Sequence, residues 1–186
     1  MAESGQEVLR RYLQDSVAAA KGFETELRSF SRDDDDAEVQ AVFLRHAELT
    51  KRQHETLTAR LRELGGGPSA TKGFLAHLFT MSPRAVQLTH RAEERTSQNL
   101  IMAFTIGKSG RAMCEALSVV ARTAGDLQTE RLARELGDGV EALSEVTWRL
   151  LPSRSKIAFN ILTAGEVDPS VETKSPDDRL VDTTTL

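Results

Sequence analysis

The chain has 186 residues, enough for one domain, with 39% apolar residues, 28% charged residues and a formal net charge of −4. This composition excludes a chain that is disordered throughout, and no apolar run is long enough to cross a bilayer. A nucleic-acid-binding protein would need a separate basic face, and the sequence contains none. The N-terminus lacks a signal-like apolar segment, and the single cysteine excludes an internal disulfide. We therefore expect a cytoplasmic protein with no nucleic-acid or membrane partner.

Two long helices are predicted in the first third of the chain. Helix one runs from about residue 5 to 31, and Ser4 with Glu7 forms the S-x-x-E capping box that begins it. Helix two spans about 37–64 and ends at the Gly65–Pro68 stop. In both helices, apolar or small residues recur at alternating spacings of three and four, which is typical of helices that bury one face in a bundle.

Further helices are predicted in the rest of the chain. A short helix near 71–80 is followed by a long helix three, about 83–124. Helix four spans about 127–150 and is expected to end at Pro152, because proline breaks the helical hydrogen-bond ladder. A short amphipathic C-terminal helix, about 154–163, is expected after it.

The lengths of the connections predict the topology. The connections between helices one and two and between helices three and four are short, so each pair forms an antiparallel hairpin. About 18 residues separate helices two and three, enough to cross the full length of a bundle, which is the ferritin-like arrangement. We expect residues 1–165 to form this bundle. The acidic tail, residues 166–186, is expected to be largely extended or disordered.

Several segments, spread over about residues 8–165, resemble the ferritin-like superfamily, in particular its bacterial YciE/YciF type of stress protein. The order and spacing of these segments carry the resemblance. They are AELTKRQHETLTARLRELG, ERTSQNLIMAF, SGRAMCEALSVVARTAGD, WRLLP and AFNILTAGE. The resemblance implies a four-helix bundle with a carboxylate-rich di-iron centre, a role in stress physiology, and homodimers.

The motif that a di-iron centre of this class requires is missing from the sequence. Two helices should each supply a Glu-x-x-His pair, which places both ligands on one helix face, and the other two helices should each supply a Glu. None of the four histidines, His46, His54, His77 and His90, follows a glutamate at this spacing. The residues three positions earlier are Phe43, Lys51, Phe74 and Gln87.

The inward positions at mid-helix are small or neutral at the places where metal ligands are expected. We call them the predicted waist: Ala20, Thr50, Gln53, Gly107, Gly110 and Gly139. A glycine inside a helix costs about 1 kcal/mol relative to alanine, so these glycines do not serve helix stability. The predicted waist indicates either close helix packing or a cavity for an apolar or amphipathic small molecule. We expect no metal, no cofactor and no catalytic residue; should iron bind at an unconventional site, its ligands would be His46, His90 and Glu93.

Two features suggest contacts outside the bundle core. Trp148 lies off the predicted inward face of helix four, so we expect the short C-terminal helix, or else a dimer partner, to cover it. The last residues of the tail, DDRLVDTTTL, are a candidate docking peptide for another protein. The predicted inward face of helix four, from which Trp148 is absent, consists of Leu132, Leu136, Gly139, Leu143, Val146 and Leu150.

The sequence thus predicts an all-α, ferritin-like four-helix bundle with a long crossover that carries a short helix, and with a short C-terminal helix. The favoured function is that of a degenerate, non-catalytic member that acts through assembly or protein interaction in a stress response, as a homo-oligomer and preferably a dimer. Two alternatives stay open: an iron-dependent oxidase or iron-handling protein with an unconventional site, and a small-molecule binder at the waist.

Overall fold

The computed structural model describes residues 3–67 and 91–163. These two stretches form four α-helices and one short 3₁₀ turn and contain no strand, so the predicted all-α four-helix architecture is confirmed. The helices are α1 (Gly5–Asp33), α2 (Ala37–Glu63), α3 (Arg95–Thr123) and α4 (Leu127–Leu162), with the 3₁₀ turn Ala92–Glu94 directly before α3. Within the described stretches, none of the helices has the length and apolar character needed to cross a membrane.

The first two helices begin and end where the sequence predicts. Ser4 accepts a hydrogen bond from the backbone N–H of Glu7 at 3.2 Å, and the Glu7 carboxylate accepts one from the backbone N–H of Ser4 at 2.7 Å. The Asp36 side chain caps α2 by accepting from two backbone N–H groups of its first turn. After α2 and α3, Gly65 and Gly125 have φ values of 73° and 77°, the left-handed conformation that favours glycine.

Contacts at the two ends of the bundle establish its topology. In the loop between α1 and α2, Asp34 accepts hydrogen bonds from Thr96 at 2.9 Å and from Asn99 at 3.3 Å, both at the start of α3. At the opposite end, Arg60 near the end of α2 pairs with Asp126 at the start of α4, at 2.7 Å. Helices α2 and α3 therefore run in the same direction. The connection between them must cross the length of the bundle, as predicted, while its predicted short helix (71–80) lies outside the described residues.

The buried core consists of two apolar layers separated by a polar one. One layer surrounds Phe30 and Phe43, whose rings meet edge to face with centroids 5.8 Å apart. The other surrounds Leu13 and Leu61. Between the layers, the buried positions hold small or polar side chains, namely Ala20, His46, Thr50, Gln53, Gly107 and Ser144.

The expected helix end at Pro152 is wrong. Helix α4 continues through this proline to Leu162, so the expected separate C-terminal helix is the last part of α4. An internal proline removes one helical hydrogen bond and costs about 3 kcal/mol. Contacts of the following turns offset this cost, because Arg154 pairs with Asp36 of the α2 cap at 2.9 Å and Ala158 is buried.

The beginning of the third helix also differs from the prediction. Helix α3 starts at Arg95, not at residue 83, and the 3₁₀ turn precedes it. The Glu94 side chain accepts a hydrogen bond from the backbone N–H of Arg91 at 3.1 Å, which closes this turn before the α-helix begins. Residues 83–90 of the predicted helix lie outside the described residues.

Candidate functional site at the bundle waist

Most of the predicted waist lies inside the bundle. Ala20, Thr50 and Gln53 are buried on α1 and α2, and Gly107 is buried on α3. Gly110 is half-buried, and a Cβ atom there would lie 3.4 Å from a methyl group of Val140. Gly139 is also half-buried. It faces Leu49 of α2 and not the centre of the bundle, because a Cβ atom on Gly139 would lie 3.6 Å from a methyl group of Leu49.

The inward face of α4 is shifted by one position from the face that the sequence predicts. All six predicted residues are half-buried, and for five of them the next residue along the chain is buried; the exception is Leu150, which is followed by another half-buried residue. The buried set is Thr129, Ala133, Gly137, Val140, Ser144 and Thr147. Small and hydroxyl side chains, and not leucines, therefore face α3. This shift of about 100° around the helix axis lets the two backbones approach closely.

Gly107 is the point of closest contact at the waist. A Cβ atom on this residue would lie 3.2 Å from Cβ of Ser144 and 3.4 Å from Cε1 of His46, with the Ser144 hydroxyl closer still. That hydroxyl is fixed by donating a hydrogen bond to the Val140 carbonyl oxygen at 3.0 Å. Helix α3 thus approaches α4 and α2 at a distance that leaves no space for a side chain at position 107.

His46 is the one buried histidine of the described residues. Its side chain is 1% exposed, and its Nδ1 atom has no hydrogen-bond partner there. Burial lowers the pKa of His46 to about 4, because the charged imidazolium would lose its hydration. The imidazole is therefore neutral at pH 7. A neutral imidazole nitrogen can accept a hydrogen bond or bind a metal ion.

The other polar side chains of the waist are used in packing. The Gln53 amide donates to the Leu136 carbonyl oxygen at 3.0 Å and so links α2 to α4. Thr50 donates to the carbonyl oxygen of His46 at 2.9 Å. The cavity beside Ala20 and Gln53 has a volume of about 20 Å³, which is room for about one water molecule.

The single cysteine, Cys114, is buried next to this cavity. Burial raises the pKa of its thiol to about 11, although the nearby Arg111 guanidinium opposes the shift. The thiol is therefore protonated at neutral pH, and it lacks the thiolate character of a nucleophilic cysteine.

The fallback metal ligands are not brought together. Glu93 is exposed in the 3₁₀ turn at one end of the bundle, whereas His46 lies at the waist; His90 is outside the described residues. From the start of α3 to Gly107, the helix rises about 18 Å. Within residues 3–67 and 91–163, there is no group of three or more His, Cys, Asp or Glu side chains with metal-binding geometry.

Sequence reasoning missed two residues of the waist, Ser144 and Gly137. A Cβ on Gly137 would lie 3.2 Å from Cβ of Cys114 and 3.3 Å from Cζ of Arg111, so this glycine admits an arginine side chain between α3 and α4. One nitrogen of that guanidinium is buried without a hydrogen-bond partner in the described part of the chain. The signal in the sequence is the pair of glycines, 137 and 139, inside one helix, of which Gly137 makes the closer contact.

A second candidate surface lies on the outside of α3 and α4. Trp148 is 43% exposed, and its ring packs on Phe104 with centroids 5.3 Å apart. The expected cover by a C-terminal helix is wrong, because that segment continues the axis of α4 and cannot fold back over its own helix. Ile101 and Phe159 are exposed on the same two helices and line a groove of about 340 Å³. We call Ile101, Phe104, Trp148 and Phe159 the outer aromatic face.

Charged residues continue this surface toward the middle of the bundle. The Lys108 ammonium lies 5.3 Å from the centroid of the Phe104 ring, a cation–π distance. It also pairs with Glu141 and, at 3.3 Å, with Glu145 on α4. These pairs raise the pKa of Lys108, with the Glu141 hydrogen bond as the largest cause. The outer aromatic face is thus apolar at one end and bordered by an ion-pair cluster at the other.

Comparison with known proteins supports the fold and nothing finer. No family model matches the sequence, and no curated protein matches it. A solved structure of a protein from Xanthomonas campestris pv. campestris is similar, with a TM-score of 0.67 and 19% sequence identity. The match covers 88% of this chain and 100% of that one. The class that fold and comparison define together is an all-α four-helix bundle.

Alanine at position 107 tests the close contact at the waist. We expect Gly107→Ala to lower the free energy of unfolding by about 1–3 kcal/mol, because the added methyl group collides with Ser144. The matched control is Gly139→Ala, whose methyl group would make ordinary contact with Leu49 and should stabilise the helix by about 0.5–1 kcal/mol. Urea denaturation measures both, and equal stabilisation by the two variants would contradict the close contact.

His46 should make stability depend on pH. Its pKa is about 4 in the folded state and about 6.5 when unfolded, so only the unfolded chain binds this proton between these pH values. The free energy of unfolding should therefore fall as the pH falls from 6.5 to 4, by up to about 3 kcal/mol from this residue. Urea denaturation across this range should show a smaller decrease for His46→Met than for the wild type. Identical pH dependence would count against a buried, neutral imidazole.

Proposed function

We propose that this chain is a non-catalytic, ferritin-like bundle that acts through protein assembly. Its self-association, preferably as a dimer, uses the outer aromatic face. The observation that carries the proposal is Trp148, which is 43% exposed and packs on the half-buried Phe104, with Ile101 and Phe159 exposed on the same two helices. Contiguous exposed apolar residues on a folded domain mark interaction sites, and aromatic residues are enriched at the centres of interfaces.

The packing of the waist supports a non-catalytic role. In a ferritin-like centre, inward side chains from all four helices hold two metal ions. Here the α3 backbone at Gly107 packs directly against Ser144 and His46. The Gln53 amide is hydrogen-bonded to a backbone carbonyl oxygen of α4. A cavity of about 20 Å³ does not accommodate a substrate molecule. The same volume weighs against the alternative of a small-molecule binder at the waist.

The ferritin-like ancestry and the role in bacterial stress physiology rest on the resemblance to the YciE/YciF type. The cytoplasmic location rests on the composition and on the single cysteine. The parallel course of α2 and α3, which requires one long crossover, agrees with this ancestry. The candidate docking peptide at the end of the tail belongs to the same proposal and lies outside the described residues.

Substitution of Trp148 tests assembly through the outer aromatic face. We expect the wild-type chain to dimerise in sedimentation-velocity experiments over a concentration series. Trp148→Ala should weaken the dimer by about 30-fold, as expected for a buried aromatic anchor at an interface centre. Leu44→Ala is the matched control, because Leu44 is 46% exposed on α2, away from this face, and should leave the dissociation constant unchanged.

Two results would contradict the proposal. One is a wild-type chain that stays monomeric at every concentration. The other is a dimer that Trp148→Ala and Leu44→Ala weaken equally, since this would place the interface elsewhere.

A further inference from the structure

A pocket outside the waist lies in the groove between the first half of α1 and the second half of α3. Its volume is about 350 Å³, within the range of about 300–1,000 Å³ that is typical of small-molecule sites. Two of its residues, Ser16 and Met113, also border the small cavity beside Ala20, so the pocket reaches down to the packed interior of the bundle. The described residues that line it are Arg11, Tyr12, Asp15, Ser16, Met113 and Ala116.

The two walls of the pocket differ in character. On α1, Tyr12, Asp15 and Ser16 are three and four residues apart and therefore lie on one side of the helix. The Ser16 hydroxyl is used within this helix, because it donates to the Tyr12 carbonyl oxygen at 2.9 Å. On α3, Met113 and Ala116 supply an apolar wall. The pocket thus combines one carboxylate and one aromatic ring with apolar surface.

Asp15 is the charged group of this pocket that has no partner. In the described part of the chain, its half-buried carboxylate makes neither a hydrogen bond nor an ion pair. Arg11, one helical turn earlier, is at the spacing of an ion pair with Asp15. The Arg11 guanidinium instead pairs with Glu3, at 2.5 Å. A negative charge therefore faces the pocket without a bonded cation.

The pKa of Asp15 reflects this missing partner. Burial raises it, and the charge of Arg11 opposes the shift only in part. At Glu24, burial also raises the pKa, but hydrogen bonds from Lys21 and Arg28 outweigh burial and lower it. Among the described Asp and Glu side chains, Asp15 is the one whose pKa is shifted upward. Its carboxylate has lost hydration without gaining a partner, and a bound cation would supply one.

The lining of the pocket favours an organic cation over a metal ion. Calcium takes six to eight oxygen ligands and magnesium takes six, whereas this pocket offers one carboxylate beside apolar side chains. An ammonium group needs only a few acceptor atoms, and the Asp15 carboxylate provides them. The exposed ring of Tyr12 attracts cations through its π face, and the Met113 thioether is an adaptable apolar contact.

We propose that this pocket binds a small organic amine in its protonated form. The ammonium group lies at the Asp15 carboxylate, and the apolar body of the amine packs against Tyr12, Met113 and Ala116. The ligand is thus a molecule with one positive charge and a short hydrocarbon part. This inference goes beyond the proposed function and does not depend on self-association, since the pocket lies between α1 and α3 and the outer aromatic face lies on α3 and α4.

Calorimetric titration of the full-length chain at neutral pH tests the choice of ligand. The probe is hexylamine, which is protonated at this pH, and the matched probe is hexanol, which has the same hydrocarbon chain without the charge. We expect hexylamine to bind saturably at one site and hexanol to bind at least about tenfold more weakly, because hexanol lacks the charge-assisted hydrogen bond. Hexanoate, with the opposite charge, should not bind.

Substitution of Asp15 tests the position of the site. Asp15→Asn should weaken hexylamine binding by at least about tenfold and leave hexanol binding unchanged. The matched control is Asp138→Asn, because the Asp138 side chain is 79% exposed on α4 and lies outside the pocket. This control should leave both affinities unchanged. Circular dichroism verifies that the two variants stay folded.

Three results would overturn the inference. The first is no saturable binding of hexylamine by the wild-type chain up to about 10 mM. The second is equal affinity of the wild-type chain for hexylamine and hexanol, which would identify an apolar pocket without charge recognition. The third is equal weakening by Asp15→Asn and Asp138→Asn, which would indicate general attraction of cations to an acidic chain. The first two results require no variant.

Discussion

The contact of Gly107 with Ser144 and His46 is the constraint on which the rest of the structure depends. Since residue 107 has no side chain, α3 lies directly against the small residues of α4. This rotates α4 so that its leucines flank the contact, half-buried, instead of filling the centre. Trp148 lies on the flank of α4 beside this contact, where its ring packs on Phe104 of α3.

The close contact at Gly107 leaves no space for a metal-binding side chain at that position of the waist. Carboxylates at the waist would require space and hydration, or a bound cation, to offset their burial. This chain has neutral groups at the waist: the uncharged imidazole of His46, the Gln53 amide and the Thr50 hydroxyl. Of these groups, the Gln53 amide links two helices through its hydrogen bond to α4, whereas Thr50 bonds within α2.

The sequence predicts those parts of the fold that depend on neighbouring residues. The capping box at Ser4 and the glycine stop after α2 are local signals, and both are correct. The end at Pro152 is also a local signal, but the distant pair of Arg154 and Asp36 overrides it. The predicted inward face of α4 is wrong because leucines recur at helical spacing one position away from the small residues that make the contact. Gly107 could be selected as unusual in a helix, but its partners depend on long-range packing.

Metal content per chain, measured after aerobic ferrous loading and desalting with oxygen uptake recorded, tests most directly whether the waist is closed. A closed waist predicts no protein-bound iron and no oxygen consumption by the purified chain. Near-stoichiometric iron together with oxygen uptake would contradict this, and the unpartnered nitrogen of His46 would be the first ligand to examine.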